Sequence, residues 1–191
     1  MPDAAPSPVT IRLARPDDVE ALGGVTARAY AAAYPGIVPV AVLDEWIAHA
    51  PEMWTRWRDA QSERGPDHPS RAWVAERDGA ILGYATATAA TPEYLPPPDG
   101  AGEITNLYLD PAAIGSGVGR ALYEHAVRDL FARGFDPLVV WAFRDNPKAR
   151  HFYPRMGLAI DILDHDWVLD GIPCPIVRFI GARPPDGPPA G

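Results

Sequence analysis

The spacing of apolar residues divides the first third of the chain into one strand and two helical segments. A strand is predicted at Thr10–Leu13. A helix should begin at Pro16, because proline and the acidic residues after it suit a helix N-terminus, and run to about Tyr34. A second helical segment, Val40–Gln61, has apolar residues at i, i+3 and i+4, and Pro51 should break or kink it.

The middle of the chain has the pattern of β-strands. Two short apolar runs, Ala72–Glu76 and Ala80–Ala89, flank Asp78-Gly79. Asp-Gly between two such runs is a strong hairpin signal. A third strand is predicted at Glu103–Leu109, ending at an Asp-Pro pair.

The last part of the chain alternates helices and strands. An amphipathic helix should begin at Val118 and end near Gly134. Leu138–Phe143 is apolar throughout, as expected for a strand covered on both faces. The remaining predicted elements are a short helix from Pro147 and strands at Leu158–Leu163 and Ile176–Ile180.

The resulting order, β-α-α-β-β-β-α-β-α-β-β, predicts one α/β domain with a mixed sheet over residues 9–181. The segments outside it, 1–8 and 182–191, are rich in proline and are expected to be flexible tails. The chain of 191 residues is long enough for one hydrophobic core.

Composition narrows the classes of partner. Hydrophobic residues make up 47% and the formal net charge is −8, which disfavours binding to a nucleic-acid backbone. No apolar stretch approaches the roughly 18 residues needed to span a membrane, and no signal peptide is recognised. The single cysteine, Cys174, cannot form an internal disulfide, so we expect a cytoplasmic protein. The five histidines are scattered without metal-ligand spacing, and no metal is expected.

The segment Ile114–Gly119 carries three alternate glycines between a strand and a helix. Backbone N–H groups of such a loop, together with the helix N-terminus, form an anion site, and glycine lets a phosphate approach closely. A plain flexible turn is the alternative. A dinucleotide site is disfavoured because the spacing is not G-x-G-x-x-G, and a P-loop is excluded because no Gly-Lys-Ser/Thr follows.

Two motifs in this order resemble those of the GNAT (Gcn5-related) N-acetyltransferases. Leu107–Pro111 followed by Ile114–Gly119 is similar to the central motif of the family, and Asn146–Tyr153 with Met156–Leu158 is similar to its downstream motif. The resemblance covers about residues 9–181. It implies the GNAT fold, acetyl-CoA as co-substrate, and direct transfer of acetyl to a primary amine in a ternary complex.

The resemblance also implies which residues hold the cofactor. The strand at Leu107, Tyr108 and Leu109 would pair with the pantetheine arm, and Asn146 would contact it. The loop residues that would hold the pyrophosphate are Ile114, Gly115, Ser116, Gly117, Val118 and Gly119. Ile114 stands where the family usually has Arg or Gln, and Arg120 either compensates by reaching a phosphate or is an exposed helix residue.

Two residues are candidates for proton transfer. By the resemblance, Tyr153 is the general acid for the departing thiolate, although an aromatic residue that only packs the helix is the alternative. By the same resemblance, Glu103 is the candidate general base, and an ordinary surface carboxylate is the alternative. The resemblance also implies a β-bulge in the strand Glu103–Leu109, so simple alternation would mislead about the direction of Glu103. Asn146 before proline is also a favoured helix N-cap.

The acceptor is less well defined. The first two helices of the fold usually border the acceptor pocket, so Tyr34, Asp44, Glu45 and Tyr94 are weak candidates for contacts with it. The other aromatic residues at helical spacing, namely Tyr30, Trp46, Trp54 and Trp57, are expected to be core residues. A small-molecule amine is the expected acceptor. A protein N-terminus or lysine, and a non-catalytic acyl-CoA sensor, are the alternatives, and a homodimer is left open.

Overall fold

A computed structural model describes residues 7–63 and 70–183 of the chain. The two predicted tails, 1–8 and 182–191, lie largely outside the described residues. The strands are β1 (Thr10–Leu13), β2 (Arg71–Arg77), β3 (Ala80–Ala89), β4 (Gly102–Leu109), β5 (Leu138–Phe143), β6 (Ala159–Leu169) and β7 (Ile172–Gly181). The α-helices are α1 (Val19–Ala33), α2 (Val40–Ala48), α3 (Ala50–Glu63), α4 (Val118–Ala132) and α5 (Pro147–Arg155).

The second predicted helical segment is broken into α2 and α3, as the position of Pro51 indicated. Pro51 is the second residue of α3, where its missing N–H removes no helical hydrogen bond. The break falls at His49, whose backbone N–H closes α2 by donating to the carbonyl of Glu45 at 2.9 Å.

The last two strands are longer than predicted. They form a hairpin that turns at Asp170 and Gly171, both with positive φ. The added strand residues lie on either side of this turn, where the sequence pattern predicted no strand. The acidic residues of the segment Asp164–Asp166 interrupt the apolar pattern of β6, which is why the predicted strand ended at Leu163. Pairing with β7 supplies the missing stabilisation, because the fit of a strand depends on its neighbours more than on its own residues.

The seven strands form one sheet in the order β1-β2-β3-β4-β5-β7-β6. Neighbours pair antiparallel except β4 and β5, which are parallel. These two strands pair only at Gly102–Leu138 and Glu103–Val139. Beyond that point they lie apart, which leaves a gap in the middle of the sheet.

Strand β4 contains the expected β-bulge. Asn106 pairs with Thr86 and Ile104 with Ala87, so Thr105 is the extra residue. The bulge reverses the alternation of side chains, since Ile104 and Leu107 pack into the same core cluster although they are three residues apart.

The two faces of the sheet are covered by different helices. Val140 packs in a cluster with residues of α4 and α5, and we call this side the α4–α5 face. Trp141 and Phe143 pack in a second cluster with residues of α1, α2 and β6, on the α1–α2 face. The gap between β4 and β5 therefore connects two differently built faces. Within the described parts of the chain, no helix is long and apolar enough to cross a membrane.

Candidate active site

A cavity of about 850 Å³ occupies the gap between β4 and β5. Its walls come from both faces of the sheet, with the glycine loop, Asn146 and Tyr153 on the α4–α5 face and Tyr34 and Trp167 on the other. Most of the predicted site residues, from four separate segments of the chain, are thereby brought to one space.

The glycine loop has the backbone that an anion site requires. Gly115 and Gly117 have φ of +83° and +86°, a left-handed conformation that disfavours any other residue. A Cβ at either position would meet no atom within 4 Å, so the space above the loop is open. The first backbone N–H groups of α4, which begins at Val118, have no acceptor within the helix and border this space.

The side chains of the loop divide into two groups. Ser116 donates from Oγ to the carbonyl of Ala113 at 2.6 Å, and Val118 is buried, so these two side chains hold the loop and do not line the cavity. Ile114 lines the cavity and is 46% exposed. Arg120 also lines it, while its Nε donates to Glu124 at 2.7 Å on the exposed helix surface.

Asn146 is the N-cap of α5, as predicted. Its Oδ1 accepts hydrogen bonds from the backbone N–H groups of Lys148 at 3.1 Å and Ala149 at 3.3 Å. The residue also lines the cavity. Capping uses the oxygen of the side chain, so the same residue is able to present its amide nitrogen to a ligand.

Tyr153 lies on α5 and is buried against aromatic neighbours. Its ring centroid is 5.1 Å from that of Phe179 and 6.3 Å from that of Tyr123, and the residue lines the cavity. Burial raises the pKa of the Tyr153 hydroxyl above its usual value. The hydroxyl therefore keeps its proton at neutral pH and is available as a donor. Packing and proton donation are both compatible with this position.

Glu103 is buried, which contradicts the interpretation as a surface carboxylate. It is 8% exposed and borders the cavity on the opposite side of β4 from Ile104, and thus on the α1–α2 face. Burial raises the pKa of Glu103 to about 7, although a hydrogen bond from the backbone of Thr91 acts in the opposite direction; the nearby Glu93 raises it further. A carboxylate with this pKa exchanges protons near neutral pH.

Comparison with known proteins identifies the family. Residues 30–158 match the family model described as "Acetyltransferase (GNAT) family". The chain belongs to the GNAT acetyltransferase family. It is 30% identical over 139 residues to a mycothiol acetyltransferase of Streptomyces avermitilis, an alignment that covers 71% of this chain and 43% of that protein. A mycothiol acetyltransferase of Frankia casuarinae is also 30% identical, over 74% of this chain and 43% of the relative. The chain thus spans less than half the length of these relatives.

Solved GNAT structures share the fold. The PaiA N-acetyltransferase of Thermoplasma acidophilum, in complex with coenzyme A, superposes with a TM-score of 0.67 at 19% identity, covering 90% of this chain and 98% of that one. The ribosomal-protein-S18-alanine N-acetyltransferase of Escherichia coli gives 0.60 at 18% identity, covering 91% and 92%. These superpositions confirm the predicted fold, and the family model confirms the predicted GNAT family.

The GNAT site includes basic residues that the sequence analysis missed. Lys148, His151 and Arg155 of α5 line the cavity together with Arg120. The signal was present in the stretch from Pro147 to Arg155, which is basic in an otherwise acidic chain. These groups suit the negative phosphates of coenzyme A, because a local basic cluster attracts anions whatever the net charge of the protein.

The acceptor candidates are only partly brought together. Tyr34 and Tyr94 line the cavity on the α1–α2 face. Asp44 and Glu45 do not line it; both are exposed, because Leu43 and Trp46 occupy the inner side of α2. Asp44 and Glu45 therefore lie outside the cavity.

The aromatic residues expected in the core behave in two ways. Trp54 and Trp57 pack on α3 outside the cavity, whereas Tyr30 and Trp46 line it. No three His, Cys, Asp or Glu side chains of residues 7–63 and 70–183 come together as metal ligands.

We expect a change of Asn146 to separate its two roles. Asn146→Asp retains a capping oxygen, so the melting temperature should stay within about 2 °C of the wild type, since Asn and Asp cap equally well. The new carboxylate should weaken acetyl-CoA binding by about fivefold or more through repulsion of the phosphates and loss of a donor. Calorimetric titration and thermal unfolding measure the two effects, with Asn146→Ala as the variant that loses the cap. Unchanged affinity in Asn146→Asp would leave capping as the sole role of Asn146.

Proposed function

We propose that this protein transfers the acetyl group of acetyl-CoA to the primary amine of a small molecule. The observation that carries the proposal is one cavity that runs through the sheet. It places an anion-binding loop on the α4–α5 face and a buried carboxylate with a near-neutral pKa on the α1–α2 face.

The residues on the α4–α5 face fit coenzyme A. The backbone amides of Gly115 to Gly119 would hold the pyrophosphate, with Arg120 and Lys148 nearby. The edge of β4 from Leu107 to Leu109 is unpaired towards β5, so its backbone groups are free to bind the amides of the pantetheine arm. When bound, acetyl-CoA supplies an activated acetyl group and a thiolate leaving group.

Two titratable side chains with very different pKa values line the cavity at the gap between β4 and β5. Glu103, with a pKa of about 7, accepts the proton that the amine must lose before it can attack. Tyr153, with a pKa raised by burial, donates a proton to the leaving sulfur. Separation of the pKa values of two titratable groups at one site is the usual basis for assigning a base and an acid.

A small acceptor is supported by the walls of the α1–α2 face. The cavity is lined there by four aromatic residues, namely Tyr34 after α1, Trp46 of α2, Tyr94 of the loop before β4 and Trp167 of β6. The cavity is partly open to solvent, and walls from four separate segments support a compact molecule over an extended peptide. The names of the curated relatives, which are mycothiol acetyltransferases, point in the same direction.

The direct test is release of coenzyme A thiol in the presence of a panel of amines. The panel should include alkylamines, arylalkylamines, amino sugars, polyamines, and peptides with a free N-terminal alanine. We expect thiol release that depends on the amine, and an acetylated amine of the expected mass. Binding of acetyl-CoA without turnover of any amine would instead support the sensor alternative, and preference for the peptide would support a protein acceptor.

Replacement of Glu103 should change the pH dependence of the reaction. In the wild type, kcat/KM should fall about tenfold per pH unit below about pH 7, because the base is then protonated. Glu103→Gln should be slower by about tenfold or more at pH 8 and should lack this limb. The control is to measure the profile with two amines of different pKa. A limb caused by ionisation of the acceptor shifts with the pKa of the amine, whereas a limb caused by Glu103 does not. A limb at pH 7 that persists in the variant would identify another base.

The same variant should be more stable than the wild type at alkaline pH. The pKa of Glu103 is raised on folding, so the folded state disfavours the charged form, and this cost is present above pH 7 and vanishes below about pH 4. Glu103→Gln should therefore raise the melting temperature by a few degrees at pH 8 and by less at pH 5. An equal shift at both pH values would contradict the buried charge.

A further inference from the structure

Besides Tyr30 and Tyr108, six aromatic side chains from five separate segments of the chain line the α1–α2 face of the cavity. We call this set the aromatic chamber; its members are Tyr34, Trp46, Tyr94, Trp141, Phe143 and Trp167. In a simple core such residues would be fully buried. Here Trp46, Trp141 and Trp167 each keep part of their surface exposed and border the same cavity.

One wall of the aromatic chamber is a triangle of three rings. The ring centroids lie 5.5 Å apart for Trp46 and Trp167, 5.6 Å for Phe143 and Trp167, and 6.5 Å for Trp46 and Phe143, with interplanar angles of 27°, 14° and 30°. Tyr94 lies across from this wall, with its ring at 63° to that of Trp167 and 5.6 Å away. A space bordered by ring faces and ring edges suits a planar aromatic group.

The chamber is held rigid from behind. Arg178, which is 7% exposed, binds the carboxylate of Asp161 through Nε and Nη2 and donates from Nη1 to the carbonyl of Pro96 at 3.2 Å. Its guanidinium lies 5.6 Å from the centre of the Trp141 ring. The loop that carries Tyr94 is thus tied to the strand pair that carries Trp141, and a preformed pocket loses less entropy on binding.

The charges beside the aromatic chamber suit an ammonium group. Glu103 is buried on the same face of β4, and Glu93 lines the cavity next to Tyr94. Burial raises the pKa of the Tyr94 hydroxyl, and the negative charges of Glu93 and Glu103 raise it further. An amine entering between aromatic rings and a carboxylate is attracted by both. Arg56 and His49 line the same cavity from the α2–α3 side.

The same walls disfavour an acceptor rich in hydroxyl groups. They consist mainly of ring carbon, and the hydroxyl of Tyr34 is already engaged with that of Tyr108 at 2.6 Å. Sugar hydroxyls buried against such walls would lose their water without gaining partners.

From this geometry we infer that the acceptor is a primary amine joined to a planar aromatic body by a short aliphatic linker. The ring would lie against Trp46 and Trp167, and the amine would point to Glu103. The inference rests on the proposed acetyltransferase function and specifies its substrate class.

The test compares three amines with the full chain and acetyl-CoA, followed by thiol release. 2-Phenylethylamine and 2-cyclohexylethylamine have the same linker and carbon count, and glucosamine represents an amino sugar. We expect kcat/KM for 2-phenylethylamine to exceed that for the cyclohexyl amine by about three- to tenfold, the range that aromatic pairing provides, and that for glucosamine by about 100-fold or more. Equal values for the first two amines, or a preference for glucosamine, would overturn the inference while leaving the acetyltransferase function intact.

Variants of Trp167 locate the ring. Trp167→Leu should raise KM for 2-phenylethylamine by about tenfold without changing the Kd of acetyl-CoA, and Trp167→Phe should restore most of the affinity. Trp57→Leu is the matched control, because Trp57 packs against Trp54 at 5.3 Å and lies outside the cavity lining. Thermal unfolding checks that Trp167→Leu is folded. If it is not, Trp46→Leu and Trp167→Phe are compared with the wild type instead.

The outcomes separate the two levels of the proposal. An unchanged KM in folded Trp167 and Trp46 variants would show that the aromatic chamber is not the acceptor site. If acetyl-CoA binds but no amine is turned over, the acetyltransferase function fails. In that case, binding of 2-phenylethylamine is measured by quenching of tryptophan fluorescence in the wild type and in Trp167→Phe. This test of the aromatic amine as a ligand does not require turnover, and absence of quenching would overturn the inference.

Discussion

Tyr153→Phe is expected to lower kcat by about 100-fold while leaving the Kd of acetyl-CoA within about twofold of the wild type. The substitution removes one hydroxyl and keeps the ring that packs against Phe179 and Tyr123. Without the proton from Tyr153, the thiolate must leave unassisted, and this loss is confined to the transition state. Steady-state kinetics with 2-phenylethylamine or the best amine of the panel, together with calorimetric titration, measures the two quantities.

Tyr123→Phe is the matched control for this experiment. Tyr123 is also buried, its ring centroid lies 6.3 Å from that of Tyr153, and it is not part of the cavity lining. Removal of its hydroxyl should change kcat by less than about threefold. A wild-type kcat in Tyr153→Phe, or an equal loss in both variants, would remove Tyr153 from the chemical step and leave it as a packing residue.

Gly117→Glu should weaken acetyl-CoA binding by about tenfold or more. Gly117 has a φ of +86° and opens onto the space above the loop, so a side chain there both strains the backbone and enters the position assigned to the pyrophosphate. The carboxylate adds repulsion of the phosphates. Calorimetric titration with acetyl-CoA and with desulfo-coenzyme A should show the same loss, because both carry the pyrophosphate.

Gly134→Glu is the control variant for the loss of stability that backbone strain causes. Gly134 has almost the same φ, +88°, also has open space around its Cβ position, and lies past the other end of α4. Both variants should lose a similar amount of stability, of order 1 kcal/mol. Only Gly117→Glu should lose affinity for acetyl-CoA. Similar affinities in the two variants would place the phosphates away from the loop.

Local signals in the sequence account for most of the fold. The Asp78-Gly79 pair, the proline at the start of α5 and the glycines at the loop act through the conformations of their own residues, so their effects were predictable without the rest of the chain. The errors arose where pairing decided the outcome. The β6–β7 hairpin extends through acidic residues because the partner strand stabilises it, and no local pattern reports the partner.

The site follows the same division. The phosphate loop, the cap at Asn146 and the position of Tyr153 were recognisable from contiguous motifs. The burial of Glu103 was not, because it depends on residues distant in sequence, among them Thr91, whose backbone forms a hydrogen bond with the carboxyl group. Asp44 and Glu45 lie outside the cavity lining for a related reason, since the rotation of α2 is set by packing and not by the presence of carboxylates.

The sequence by itself determined the family, the order of elements and the backbone form of the glycine loop, because each of these rests on local conformation or on a contiguous motif. The tertiary structure alone decided what faces the gap between β4 and β5. Trp46, Tyr94, Trp141 and Trp167 are far apart in sequence and come together only in the folded chain. The properties that select an acceptor, namely the shape of the aromatic chamber and the pKa of Glu103, therefore arise from long-range packing and burial.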